Sequence, residues 1–164
     1  MPQTAYLLKQ APAYEGGRGD NRPATIHTGR NNAGVEIPFG RFVAFDAGAG
    51  TTELAVRLPS AVGDKLLGVG LYDAAHEVSA TGYLANGMIG VIAKGSVWMI
   101  TEQAVTRADS VFARYALVTG SGTTPAIGRV RKDVDTADAV AVPNARFLTN
   151  AAAGGFVLVE LNLP

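Results

Sequence analysis

The sequence predicts an all-β fold, either a sandwich or a jelly-roll-like barrel of about 8–10 short strands, preceded by an extended N-terminal arm. Three observations support this prediction. From Val35 onward, short apolar runs recur about every eight to fifteen residues. Gly, Asp, Asn, Pro or Thr separate these runs, and such residues favour turns between strands. No segment carries the apolar stripe of an amphipathic helix over a dozen residues.

The first 32 residues differ in composition from the rest of the chain. Prolines and glycines interrupt them, and their apolar residues follow no period. This predicts an extended arm over residues 1–32, with at most one short strand near Thr25 to Thr28, and a single β-domain over residues 33–164. An arm without a core of its own becomes ordered against a surface, either a neighbour's groove or its own domain. The candidate contact residues in the arm are Tyr6, Leu7, Leu8, Tyr14, Arg18 and Arg22.

The β-domain divides into strands by its apolar pattern. Arg41 to Asp46 is an apolar run, and Glu53 to Leu58 alternates between two faces, which is typical of a half-buried strand. Met88 to Ala93 and Ser96 to Thr101 flank Lys94-Gly95, which predicts a tight connection between two strands. The remaining candidate strands are residues 66–72, 111–118, 139–142, 146–149 and 156–161.

Composition excludes several classes of function. The chain has 14 basic and 14 acidic residues, so it lacks the basic surplus with which proteins bind nucleic acids or anionic membranes. It has no cysteine and two histidines, which leaves few nucleophile–base pairs for an enzyme. No apolar run resembles a signal peptide or a membrane span. We therefore expect a protein made in a cytoplasm that is not an enzyme, needs no cofactor, and associates through a nearly uncharged surface.

Two local groups have the residue types of a metal site. His76 lies among carboxylates in residues 73–77, and three aspartates alternate in residues 133–138. The first group needs ligands from elsewhere, and the second lacks the glycine and the distal glutamate of an EF-hand. Arg129 and Arg131 precede the aspartates, which favours salt bridges. We predict no metal site and no catalytic residue.

Several short stretches occur along the chain in a characteristic order and spacing. They are Ala5-Tyr6-Leu7-Leu8-Lys9, Ile37 to Val43, Leu67-Gly68-Val69, Lys94 to Trp98, Ala108 to Phe112, Ile127 to Val130 and Ala145 to Ala151. In this order they resemble the structural cement, or capsid decoration, proteins of tailed phages, over nearly the whole chain. At Ala108 and Ser110 the sequence departs from the Gly and Pro that such proteins commonly have in the turn before that strand.

The resemblance implies an all-β virion protein that oligomerises on the outer surface of a phage capsid. Its expected partners are the major capsid protein, whose neighbouring subunits it bridges, and itself, as a homotrimer or alternatively a homodimer. A different function, a carbohydrate- or ligand-binding β-module on the virion surface, stays open. Such a module would expose aromatic side chains as a flat stacking surface. The candidates for that surface are Trp98, Tyr72, Tyr83 and Tyr115.

Overall fold

A computed structural model describes residues 13–48, 53–72, 79–117 and 126–164, which form strands and no α-helix. The all-β prediction is confirmed. Twelve strands are present in these ranges, more than expected, because several pairings are only two residues long. A 3-10 turn spans Asp135–Ala137. The strands are β1 (Thr25–Asn31), β2 (Ile37–Pro38), β3 (Phe42–Phe45), β4 (Ala55–Arg57), β5 (Leu66–Gly70), β6 (Gly82–Tyr83), β7 (Met88–Ile100), β8 (Phe112–Arg114), β9 (Val130–Arg131), β10 (Ala139–Ala141), β11 (Ala145–Phe147) and β12 (Phe156–Asn162).

Five strands close into a barrel in the order β1-β4-β3-β5-β7. The ring closes because β1 pairs with β4 on one side and with β7 on the other. The β1–β4 pair is parallel, with Arg30 opposite Ala55, and the other pairs in the ring are antiparallel. Of the two architectures that the sequence allows, the structure has the barrel. Closure leaves these strands without exposed edges.

Strand β7 is thirteen residues long and joins the barrel to a second sheet. Its first half pairs with β1, and its second half pairs with β12, which in turn pairs with β11. The predicted tight connection at Lys94-Gly95 is wrong, because β7 continues through these residues, next to a β-bulge between Ile92 and Lys94. The pairing register between β1 and β7 shifts next to Thr25. Gly95, which follows this shift, has a backbone φ of +131°, a value that residues other than glycine rarely adopt. The bulge reverses the alternation, so that Ile92 and Val97 enter the same core.

Two hydrophobic cores stabilise the structure. The smaller one fills the barrel around Ile37, Val43 and Tyr83. The larger one combines side chains from the barrel wall and β12 with those of a three-stranded sheet, β10-β8-β9. Because Val69 of β5 and Val157 of β12 share this larger core, the barrel and the second sheet pack as one body.

The described part of the N-terminal segment lies along β7. Gly16 donates its backbone N–H to the Trp98 carbonyl at 2.9 Å, and Gly19 donates to the Ser96 carbonyl at 2.9 Å. The Trp98 N–H donates to the Gly17 carbonyl at 2.8 Å. The strand expected near Thr25 to Thr28 is β1 of the barrel wall. The segment predicted as an arm over residues 1–32 thus contacts the β-domain from Gly16 onward, and residues 1–12 lie outside the described residues.

Candidate functional site

Arg18 and Arg22, two of the predicted contact residues, lie together at the surface. The Arg18 Nη2 donates to the backbone carbonyl of Arg22 at 2.7 Å. The Arg22 guanidinium pairs with Asp20 at 2.7 Å and with Glu160 of β12 at 3.3 Å. Hydrogen bonds from Arg22 and Ser96 lower the pKa of Asp20 to about 2. The turn therefore presents a surface of mixed charge. The predicted contacts Tyr6, Leu7 and Leu8 lie outside the described residues.

Tyr14, another of the predicted contact residues, belongs to a row of aromatic rings. Its ring centroid lies 5.1 Å from that of Tyr72, which lies 5.0 Å from Phe39. Phe39 in turn lies 5.2 Å from Tyr83 inside the barrel. The three contacts are edge-to-face, a geometry that aromatic pairs prefer. The row runs from the barrel core to the surface, where Tyr14 is 55% exposed.

A groove of about 720 Å³ opens beside this aromatic row. Arg41, which is 6% exposed, lies in its wall, and its Nε is 3.5 Å from the Glu15 Oε1. Burial raises the pKa of Glu15, although Arg41 and Arg129 oppose this shift. Burial also lowers the pKa of Arg41. The volume lies in the range of about 300–1,000 Å³ that is common for binding sites. The groove is lined by Tyr14, Glu15, Pro38, Phe39, Arg41, Tyr72, Ala80 and Thr81.

A buried ion-pair network connects the three-stranded sheet to the segment that follows β7. Arg114 of β8 is 1% exposed, and its Nε donates to both carboxylate oxygens of Glu102 at 2.8 Å. Arg131 of β9 also binds Glu102, at 3.1 Å, and binds Asp135 at 2.5 Å. Arg114 also pairs with Asp135, and its hydrogen bond lowers the pKa of that carboxyl. Arg114, Arg131 and Glu102 are buried, Asp135 is 25% exposed, and each of these groups has a partner of opposite charge, as buried charges require.

Salt bridges between the aspartates of residues 133–138 and the neighbouring arginines are confirmed. Arg131 pairs with Asp133 at 2.6 Å in addition to Asp135. The sequence did not identify the two other members of this network, Glu102, which pairs with the arginines, and Arg114, which pairs with Asp135. Glu102 stands in a polar run after β7, and only its place opposite two arginines in the fold shows that it is buried.

The aromatic side chains that a sugar-binding module would expose do not form a flat surface. Tyr83 is buried in the barrel, and Tyr72 packs edge-on to both of its neighbours, at interplanar angles of 75° and 69°. The Tyr115 hydroxyl donates to the Ala137 carbonyl. Trp98 is half-buried on β7, beside the backbone of Gly16 and Gly17.

Neither histidine belongs to a site in the described structure. His27 is half-buried in β1, whereas His76 and its neighbouring carboxylates lie outside the described residues. Within the described ranges, no group of three or more His, Asp or Glu side chains is placed to hold a metal ion. In the same ranges, no helix is long and apolar enough to cross a membrane.

Comparison with known proteins places these features in a family. The family model of the structural cement protein (E217 gp24/Pam3 gp6) matches residues 1–162. The chain belongs to this structural cement protein family. The cement protein is therefore a structural component of the phage virion, located on the capsid, and it binds capsid proteins. This confirms the resemblance found in the order of its motifs.

A search of solved structures supports the same fold. A chain from the capsid of Myoviridae phage XM1 matches with a TM-score of 0.68 and 19% sequence identity. The match covers 96% of the cement protein and 95% of the other chain. At this identity the similarity establishes the fold. Among curated proteins, no sequence matches.

Proposed function

We propose that the cement protein binds the outer surface of the capsid, bridges neighbouring major-capsid subunits and so stabilises the head, without catalysing a reaction. The family match over residues 1–162 is the observation that carries this proposal. A packaged head experiences outward pressure, which bridging contacts oppose by adding buried area, on the order of 1,000 Å² per stable contact. The contacts made by many symmetry-related copies then add to the total stabilisation through avidity.

The described structure suits this role because it is rigid and its surface favours association. The barrel has no free edge along its closed ring, and the second sheet is fixed to it through a shared core. Val35, Val62 and Leu117 are exposed apolar side chains on a chain without net charge. We infer that the protein forms a homotrimer, with a homodimer as the alternative; sedimentation equilibrium of the purified protein distinguishes them.

The first expected result concerns capsid stability. Empty, expanded capsids of the same phage that lack the cement protein should rupture at a lower temperature than capsids to which it has been added back. The measurement is calorimetry of both samples, with occupancy determined by electron microscopy. Heat-unfolded cement protein serves as the control and should give no shift. Absence of binding to these capsids, or binding on their inner surface, would contradict the proposal.

The arm gives a second expected result. We propose that Tyr6, Leu7 and Leu8 anchor residues 1–12 on a neighbouring subunit, because apolar and aromatic side chains are the usual anchors of such contacts. Replacing all three by alanine should lower capsid affinity at least about tenfold. The melting temperature of the free protein should stay nearly the same, because the proposal assigns these side chains to a contact with the neighbouring subunit.

A control variant tests whether the loss of affinity comes from the apolar side chains, and the fold limits how much of the segment can be deleted. A Gln3→Ala/Lys9→Ala variant alters the same segment without removing an apolar anchor, and should bind capsids as the wild type does. Deleting residues 1–30 is unsuitable, because it would remove most of β1 and open the barrel. Unchanged affinity of the triple variant would show that these three residues are not the anchors.

A further inference from the structure

The sheet formed by β7, β12 and β11 has an outer face that carries apolar side chains. In the second half of β7 and in β12 every second residue enters the larger core, so the residues between them point to the opposite side of the sheet. Five of these outward residues are apolar, and within the described ranges none of them is part of either hydrophobic core. The five residues, which we call the sheet face, are Trp98, Ile100, Leu148, Phe156 and Leu158.

Strand pairing brings these five side chains next to one another. Ile100 lies opposite Phe156, and Trp98 lies opposite Leu158. Leu148, directly after β11, extends the face by one strand, because its N–H donates to the Leu158 carbonyl at 2.8 Å. Opposite residues of an antiparallel pair have β-carbons about 4.5–5.5 Å apart, so their side chains touch. Phe156 is 42% exposed and the other four are half-buried. An apolar patch that contains a tryptophan and a phenylalanine is typical of the centre of an interface.

Charges of both signs border the sheet face. Glu160, the next outward residue of β12, pairs with Arg146 of β11 at 2.5 Å and with Arg22 at 3.3 Å. Arg22 also pairs with Asp20 at 2.7 Å. The side chains of Arg146 and Arg22 are 70% and 59% exposed, so they can contact a partner as well. The charges of these two arginines and two carboxylates balance.

This border favours a second copy of the protein over a partner whose charge has one sign. A strongly acidic or strongly basic partner would be repelled by half of the border. A second copy carries the same two arginines and two carboxylates, so rotation about a symmetry axis can place an arginine of one copy against a carboxylate of the next. Because the chain has no net charge, its copies do not repel one another at long range.

We propose that the sheet face is the contact between copies of the cement protein. The inference rests on the proposed function, in which the protein acts on the capsid as a homo-oligomer, and it assigns residues to that oligomer. The sheet face lies towards the symmetry axis, with Trp98 and Phe156 in the dry centre of the contact and Arg22 and Arg146 at its rim. This arrangement suits a two-fold and a three-fold axis alike, because every copy presents the same face to the axis.

Phe156→Arg tests the proposal, because it places a charge in the centre of the contact in every copy. It should raise the dissociation constant of the oligomer at least about thirtyfold in sedimentation equilibrium. The variant is expected to fold, because Phe156 is 42% exposed and belongs to neither of the described cores. Phe156→Leu keeps the apolar contact and should remain an oligomer. Met88→Arg, at a side chain that is 48% exposed at the other end of β7, is the matched control and should leave the dissociation constant unchanged.

Trp98 reports on the same contact in the unmodified protein. It is the only tryptophan of the chain and lies on the sheet face. Dilution that dissociates the wild-type oligomer should therefore shift the tryptophan emission to longer wavelength and increase its quenching by acrylamide. Phe156→Arg should show the emission of the dissociated protein at concentrations where the wild type is an oligomer, with an unchanged far-UV circular dichroism spectrum. If Phe156→Arg does not fold, the dilution of the wild type decides, and an emission that stays constant while the oligomer dissociates overturns the proposal.

The possible outcomes separate the sheet face from the cement function. If the wild type is a monomer, or if Phe156→Arg leaves the dissociation constant unchanged, the sheet-face proposal is wrong, whether or not the protein decorates capsids. If Phe156→Arg stays an oligomer but binds capsids less tightly, the face contacts the capsid protein instead, which also overturns the proposal. If Phe156→Arg dissociates the oligomer and the wild type does not decorate capsids, the sheet-face proposal stands and the proposed cement function fails.

Discussion

Replacing Arg114 by methionine should lower the free energy of unfolding by about 3–5 kcal/mol. The substitution removes both hydrogen bonds to Glu102 and the ion pair with Asp135. Glu102 would keep its bond to Arg131, but its charge would be incompletely paired in the interior. Methionine fills most of the vacated volume, so the loss reports on charge more than on packing. Guanidinium denaturation with an unchanged m-value is the measurement.

The matched control for Arg114 is an arginine whose ion pair is exposed. Arg146 pairs with Glu160 at 2.5 Å, but its side chain is 70% exposed. Arg146→Met should therefore cost less than about 1 kcal/mol. A loss below about 1 kcal/mol for Arg114→Met as well would show that water or local rearrangement compensates for the missing cation.

The destabilisation by Arg114→Met should also depend on pH. The hydrogen bond from Arg114 holds the pKa of Asp135 below its ordinary value in the folded protein. A carboxyl with a lowered folded-state pKa stabilises the fold above its unfolded-state pKa, and this stabilisation is lost as the pH falls through the folded-state value. The difference between wild type and variant should therefore be largest near neutral pH and should narrow below about pH 4, the ordinary Asp range.

The local pattern of apolar residues predicted the type of fold. Closure of the barrel depends instead on pairing between strands that are far apart in the sequence. The alternation in Glu53 to Leu58 correctly placed β4, although only three residues of it pair. The parallel contact of β1 with β4, which closes the barrel, leaves no signal in either segment. At Lys94-Gly95 the same residue types suit a turn or a bulge. The bulge prevails because β1 and β12 pair in succession with one continuous β7.

The groove was less accessible to sequence reasoning than the fold. Its aromatic row joins Tyr14, Phe39 and Tyr72 from three separate segments, and only the fold brings the Tyr72 ring within about 5 Å of each of the other two. Tyr14 was a candidate because it stands in the arm, not because a partner was known. Arg41 was part of an apolar run and gave a usable signal, a lone charge entering a buried strand. That signal is ambiguous, since most charges at strand ends are solvated.

Substituting alanine for Gly68 should destabilise the cement protein by about 3 kcal/mol or more. A β-carbon at this position would lie 2.1 Å from the carbonyl oxygen of Ile92 and 2.7 Å from its carbonyl carbon. These are backbone atoms of β7, so no side-chain rotation relieves the overlap. Ile92 cannot withdraw easily either, because it is opposite Ile26 of β1 and Val69 of β5 at once.

The effect of Gly68→Ala is specific to the close approach of β5 and β7. Gly63→Ala is the matched control, since a β-carbon there meets nothing within 4 Å and its φ is ordinary. It should be neutral or slightly stabilising, because alanine restricts the unfolded chain. Thermal melting of the two variants side by side measures the difference; near-equal melting temperatures would mean that the barrel wall yields.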